Sequence, residues 1–251
     1  MPENTVASRH VGTPTHVYIH GFLDNANAWT SLIERDQIVA RNALALDLRG
    51  AGTRQGDTGP FTLKQAVADV VALVAAQQLE SIVLIGHSMG AQVAELAALE
   101  LGPRVTALIL ITPVSLAGIS LPLEAVALLR AAGGDAPAQA RIRQGFSRNL
   151  SQNAIERLVD ADVLMRKETV EGYFDAFSGG DMAGLKATAY SGPILILAAK
   201  DDPVVPVDAI MEMRSNRFPS ARIVEIEGAG HWPHLERPAE TAAAISDFLY
   251  R

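Results

Sequence analysis

The sequence predicts an α/β chain: a mostly parallel, doubly wound sheet with a helical lid inserted between two of its strands. Three observations carry the expectation. Short Val/Ile/Leu/Ala runs recur with little polar alternation, as parallel strands covered on both faces require. Stretches of helical length separate them, and such strand–helix alternation implies a doubly wound sheet. The alternation breaks once, between Val114 and Tyr190, where only helical pieces can be read.

Strands are expected at residues 16–20, 43–48, 81–85, 107–112, 194–198 and 222–226. The helix expected over 62–79 opens on Thr62, whose hydroxyl can cap the first turn. It carries Ala66, Val67, Val70, Leu73 and Val74 at helical spacing. Another helix is expected over 88–101. Those over 206–215 and 238–249 begin with proline, whose missing N–H costs little in a first turn. Within the break, helical pieces are expected over 121–132, 136–147, 151–165 and 169–178, punctuated by Gly133-Gly134 and Gly179-Gly180. The chain thus divides into a core of residues 1–113 and 191–251 and a lid of residues 114–190. The lid leaves after one strand and returns before another, so it is expected over the carboxyl edge of the sheet, where ligands bind.

Composition narrows the function. At 251 residues, 49% hydrophobic and 20% charged, the chain can bury a substantial core. No apolar run reaches the roughly eighteen residues of a membrane span. The first residues lack the basic start and apolar stretch of a signal peptide. Cysteine is absent, which excludes disulfides, thiolate metal sites and a cysteine nucleophile, and fits a cytoplasmic location. A formal charge of −7 with no basic cluster argues against general nucleic-acid binding. The histidines lack paired ligand spacing, so no metal is expected, and Gly21-Phe22-Leu23-Asp24 is too poor in glycine to cradle phosphate.

The most informative peptide is Gly86-His87-Ser88-Met89-Gly90. It falls where the run Ser81-Ile82-Val83-Leu84-Ile85 gives way to a helical one. A serine at so tight a strand-to-helix corner takes a strained conformation that lifts its hydroxyl clear of both elements, and flanking glycines let them pass closely. The pattern is the one known from α/β-hydrolases. A serine needs a base, and the base needs a group that fixes its tautomer and stabilises its charge. The order in such enzymes is serine, acid, histidine. An acid is offered by Asp201-Asp202 after the strand at 194–198. A histidine is offered by His231 or His234 after the strand at 222–226.

With these residues in place, the chain resembles the α/β-hydrolases of the lid-bearing type. These include small esterases, enol-lactone hydrolases, carbon–carbon bond hydrolases and cofactor-free haloperoxidases. The resemblance spans essentially the whole chain. It rests on His20-Gly21-Phe22, Asp47-Leu48-Arg49-Gly50, the serine corner, Asp201 through Pro206, and Gly230-His231-Trp232. It implies a catalytic Ser88, Asp202 and His231. Asp202 is favoured over Asp201 by its spacing to Val204 and Pro206, and His231 over His234 because it directly follows the glycine turn. It also implies an oxyanion hole from the backbone amides of Phe22 and Met89. His20 and His87 are expected to be structural, and Asp47 and Arg49 to tie down a loop.

Three departures from the family pattern stand out. A first edge strand usual in relatives has little room before residue 16. Ala51-Gly52-Thr53-Arg54 replaces the more frequent His-Gly-x-Ser, and His87 stands where carbon–carbon hydrolases often carry asparagine. In the lid, Leu121, Leu123, Phe146, Tyr173, Phe174 and Phe177 are expected to wall the pocket. One of Arg141, Arg143 and Arg148 could anchor a substrate carboxylate through a bidentate bond, or all three could form a solvated face. The expected activity is hydrolysis of a small carboxylic ester, lactone or related acyl compound, without a cofactor, with a small molecule as the partner. Carbon–carbon bond hydrolysis and a slow-turnover ligand receptor are the alternatives.

Overall fold

The structure, a computed structural model, describes residues 13–35 and 42–250. Among them six strands form one sheet: β1 (Thr15–Ile19), β2 (Ala43–Leu46), β3 (Ile82–His87), β4 (Val105–Ile111), β5 (Ile194–Ala199) and β6 (Arg222–Ile226). Their order is β2-β1-β3-β4-β5-β6, and every pairing is parallel. The expected strands recur with ends moved by at most two residues. The question of an additional strand before β1 falls on residues 1–12, outside the described residues.

Alternate strand residues feed two cores. Val17, Ile19, Leu84, Leu108, Leu110 and Ile196 pack on one face, and Tyr18, Val83, Ile85, Ile109, Ile111, Leu195 and Leu197 on the other. Each fully buried side chain of this size contributes about 1.5–3 kcal/mol. That outweighs strand-propensity differences, which span only about 1 kcal/mol, so burial fixes the central strands.

The helices are α1 (Thr30–Ile33), α2 (Leu63–Ala76), α3 (Met89–Leu101), α4 (Leu123–Arg130), α5 (Ala136–Phe146), α6 (Gln152–Asp162), α7 (Lys167–Gly179), α8 (Val207–Arg217), α9 (Pro233–Glu236) and α10 (Pro238–Tyr250). Thr62 caps α2 by accepting the Gln65 N–H at 3.1 Å, a contact worth about 1 kcal/mol. Asp135 and Ser151 cap α5 and α6 in the same way, through the N–H groups of Ala138 and Ala154. Helices α4 to α7 stand between β4 and β5 in the chain, with α5 packed on α6 and α4 on α7.

Topology decides where a site can form. The chain steps outward from β1 to β2, then crosses back to place β3 on the other side of β1. Crossovers therefore leave β1 and β3 in opposite directions and open a crevice at their carboxyl ends. Ile19 pairs with Gly86 across this boundary, which brings the loop after β1 beside the corner after β3.

Candidate active site

Ser88 occupies the single position between β3 and α3, at φ 53° and ψ −117°. Such a conformation costs a non-glycine residue about 1–3 kcal/mol and persists only where its surroundings enforce it. Here they do. The Ser88 N–H donates to the Ile111 carbonyl at 3.0 Å, and its own carbonyl accepts the Ala91 N–H at 3.0 Å. The glycines are required by close approach. A Cβ on Gly86 would lie 2.2 Å from the Gly90 carbonyl oxygen, and one on Gly90 would lie 2.3 Å from that of Ile19.

Three loops converge on the serine. His231 Nε2 lies 2.9 Å from Ser88 Oγ, and His231 Nδ1–H donates to Asp202 Oδ2 at 2.8 Å. Asp202 Oδ1 accepts the N–H groups of Val204 at 2.7 Å and Val205 at 3.2 Å, which locks the carboxylate. Asp202 is 4% exposed and His231 5%. Asp201 points to solvent, and its N–H donates to the Ala229 carbonyl. His234 is buried and stacks on Trp29 with ring centroids 4.5 Å apart. Burial, with the neighbouring His87 and His231, holds it well below the ordinary histidine range.

His87 donates Nε2–H to the His231 carbonyl at 2.8 Å, and Thr112 Oγ1–H reaches the same oxygen at 2.9 Å. Burial keeps His87 below its ordinary pKa, against the pull of Asp24. Burial lowers His20 in the same way. Its Nδ1–H donates to the Gly21 carbonyl, and its Nε2 accepts the Leu48 N–H at 3.0 Å, so it braces the loop after β1. Asp47 accepts from the backbone of Ala26 and Thr53, and Arg49 pairs with Asp69. Both tie loops down.

Phe22 stands in the loop after β1 and lines the cavity in front of Ser88. Met89 is the first residue of α3, where helix N–H groups lack intrahelical partners. The cavity itself is about 40 Å³. Besides Ser88, His87 and His231, its walls are apolar: Phe22, Val114, Leu121, Leu129, Ile142, Phe146, Phe177, Val204 and Trp232. A roomier hollow of about 700 Å³ lies against α8 and shares only Val204 with it. The smaller cavity is the one that Ser88 and His231 line.

The expected pocket wall is therefore corrected in part. Phe146, Phe177 and Leu121 line the cavity. Phe174 packs behind, against Phe22 and Phe177, and Tyr173 turns away to donate its hydroxyl to the Arg49 carbonyl. Leu123 is 83% exposed. None of the three arginines reaches the cavity. Arg141 and Arg148 are exposed. Arg143 is fully buried, but its partners are Asp24, Asp162 and the Leu23 carbonyl. Helical spacing placed the arginines near the site; it could not tell which side of α5 and of the following turn each would take.

Two residues here carried no sequence signal. Asp24 accepts Trp232 Nε1–H at 3.0 Å. Burial opposes its charge, yet His87, Arg143 and Trp232 hold it well below the usual carboxylate range. Glu236 accepts four backbone N–H groups. Arg148, Asn149 and Gly230 donate to Oε2 at 2.7, 2.7 and 3.0 Å, and Trp232 donates to Oε1 at 3.2 Å.

Comparison with known proteins agrees with this architecture. The model of the alpha/beta hydrolase family matches residues 17–244. The chain is 27% identical over 261 residues to Esterase YbfF of Escherichia coli, covering 98% of this chain and 96% of that one. Among solved structures, an esterase from Exiguobacterium antarcticum superposes with a TM-score of 0.82 at 19% identity, over 95% of this chain and 92% of that one. The enol-lactonase from Burkholderia xenovorans superposes with a TM-score of 0.79 at 22% identity, over 98% and 94%. These two show the shared fold. With the family model spanning nearly all of the sheet and the helices around it, the chain belongs to the alpha/beta hydrolase family.

Proposed function

We propose that this chain is a serine hydrolase of small, uncharged carboxylic esters or lactones. The observation that carries the reading is the hydrogen-bonded series from Ser88 through His231 to Asp202, held at a strained corner and facing an apolar cavity. Relatives named as an esterase and an enol-lactonase support the substrate class.

In this reading His231 Nε2 takes the Ser88 proton as Oγ attacks the substrate carbonyl. Asp202 keeps Nδ1 protonated and stabilises the imidazolium. The amides of Phe22 and Met89 donate to the oxyanion, and the first turn of α3 adds its partial positive charge. The C–O bond to the leaving group breaks, and His231 returns the proton to the departing oxygen. Water, deprotonated by the same histidine, then attacks the acyl-enzyme and releases the acid and Ser88. The chain supplies every proton carrier in this cycle, so we assign no cofactor.

Residues 114–190 act as the lid. They supply Val114, Leu121, Leu129, Ile142, Phe146 and Phe177 to the cavity in front of Ser88. A cysteine-free chain suits a reducing compartment, and we place the reaction in the cytoplasm. The test is a panel of neutral nitrophenyl esters and small lactones, run on wild type and Ser88→Ala. Turnover confined to wild type supports the reading. Cleavage of ketone substrates at a carbon–carbon bond instead, or turnover slower than about one per minute on every compound (far below the usual 1–10³ per second), would replace it.

A further inference from the structure

We propose that Arg143 is a positioning residue for the oxyanion site: from within the helical insertion it fixes the loop that carries the Phe22 amide. The inference rests on the serine-hydrolase reading, because that reading gives the amide its role.

Arg143 stands on α5, in a segment that by position alone is a cover. Its side chain is nevertheless 0% exposed and reaches into the core. Nη2 donates to the Leu23 carbonyl at 2.5 Å and to Asp162 Oδ2 at 2.9 Å, and it lies 3.5 Å from Asp24 Oδ1. Asp162, at the end of α6, accepts from Asn25 Nδ2 at 2.5 Å through its other oxygen. Three consecutive residues after Phe22 are thus gripped by the insertion: Leu23 and Asp24 by Arg143, Asn25 by Asp162.

The loop needs gripping. Leu23 has φ 59°, a region that leucine rarely adopts. Relaxation to negative φ would rotate the chain at the residue next to Phe22 and carry the amide off its target. The Leu23 carbonyl, which such a rotation would displace, is the one that Arg143 holds. All three contacts run through Nη2, whose two hydrogens serve the Leu23 carbonyl and Asp162. Stability alone is a weaker account, since a buried ion pair is often matched by well-packed apolar side chains.

The same cluster reaches the base. Asp24 Oδ2 accepts Trp232 Nε1–H and lies 3.6 Å from His87 Nδ1, and His87 holds the His231 carbonyl. Arg143 therefore sits where the oxyanion loop and the histidine loop meet. Helix α5 thus belongs to the catalytic frame although it lies within the insertion.

The test compares wild type with Arg143→Lys, Arg143→Met and the double variant Arg143→Met/Asp162→Leu, which removes Arg143 together with its Asp162 partner and keeps the variant set usable if Arg143→Met does not fold. Each is checked for a cooperative melt, then assayed on a short neutral nitrophenyl ester. Inhibition is measured with two matched probes, a trifluoromethyl ketone, whose adduct with Ser88 carries the oxyanion, and the methyl ketone of the same shape, which binds only as a ground-state mimic. Loss of one oxyanion donor lowers kcat by about 10²–10³, so a misplaced donor should lower it by about thirtyfold or more with KM within about threefold. The trifluoromethyl ketone should weaken in step with kcat/KM and the methyl ketone should not. Arg143→Lys should recover part of the loss. A folded variant whose kcat stays within threefold of wild type, or equal weakening of both ketones, overturns the inference. Fluorophosphonate labelling of wild-type Ser88 separates the two levels. A labelled wild type with indifferent Arg143 variants removes only the role of Arg143. An unlabelled wild type removes the hydrolase reading and this inference with it.

Discussion

The backbone N–H of His231 donates to the Phe146 carbonyl at 2.8 Å, so the proposed base and the end of an inserted helix share a main-chain hydrogen bond. Glu236 reinforces that junction. It draws the N–H groups of Arg148 and Asn149 from the insertion and those of Gly230 and Trp232 from the histidine loop onto one carboxylate. Hydrogen bonds to a charged group contribute about 1.5–3 kcal/mol each. Glu236→Gln turns one acceptor oxygen into a donor that faces these N–H groups. We expect a loss of about 2–3 kcal/mol in urea unfolding, within that range, and a fall in kcat as His231 loses its fixed position. Unchanged stability would show that the four contacts are replaceable by water.

The two adjacent aspartates should behave very differently. Asp202→Asn leaves an amide against His231 Nδ1, favours the wrong tautomer and should lower kcat by roughly 10⁴. Asp201 is exposed and remote from the imidazole, so Asp201→Asn should change kcat by less than about twofold, as surface substitutions usually do. Steady-state assays of the two variants side by side decide the assignment, and a reversed order would move the acid to Asp201.

The proposed substrate class predicts selection against charge. The cavity's polar groups are Ser88, His87 and His231, and its other walls are apolar. A carboxylate buried there without a partner costs several kcal/mol. A nitrophenyl hemisuccinate should therefore show kcat/KM lower than the butyrate ester by about a hundredfold or more, equivalent to the roughly 2.7 kcal/mol that two decades require. Arg141→Met and Arg148→Met should leave that ratio alone. Equal rates for the two esters would mean that a cation enters the pocket on substrate binding.

Asp162 gives stability a distinctive pH dependence. Burial pushes its carboxyl up to about 8 against the pull of Arg143, and the charge on Asp24 adds to the rise. In the unfolded chain it titrates near 4. Between these values the folded state holds a proton that the unfolded state has released. Its stabilising contribution is complete below pH of about 4 and is lost as pH rises through about 8. The difference in Tm between wild type and Asp162→Asn should therefore shift against wild type from pH 5 to pH 8 and level off above. A difference that does not vary with pH would place the titration elsewhere.

Much of this was legible in the sequence because it is local or repetitive. Continuous apolar runs specify strands buried on both faces, and Thr62 announces the start of its helix. Gly86 and Gly90 mark the serine corner because no side chain fits between β3, α3 and β1. What stayed hidden depends on partners far away in the chain. Arg143 resembles any helix-surface arginine until Asp24, 119 positions earlier, is brought beside it by the fold. Glu236 reads as an ordinary short-helix glutamate, since its four donors come from two loops. Leu123 has the composition of a pocket wall, but it is the first residue of α4 and faces solvent.

The central claim is that Ser88 is a nucleophile activated by His231. Intact-mass and peptide-level analysis after exposure to a fluorophosphonate tests it most directly. The account predicts a single adduct on Ser88, absent in Ser88→Ala and slowed by orders of magnitude in His231→Ala. Labelling at another residue, or ester turnover that survives Ser88→Ala in contaminant-free protein, would contradict it.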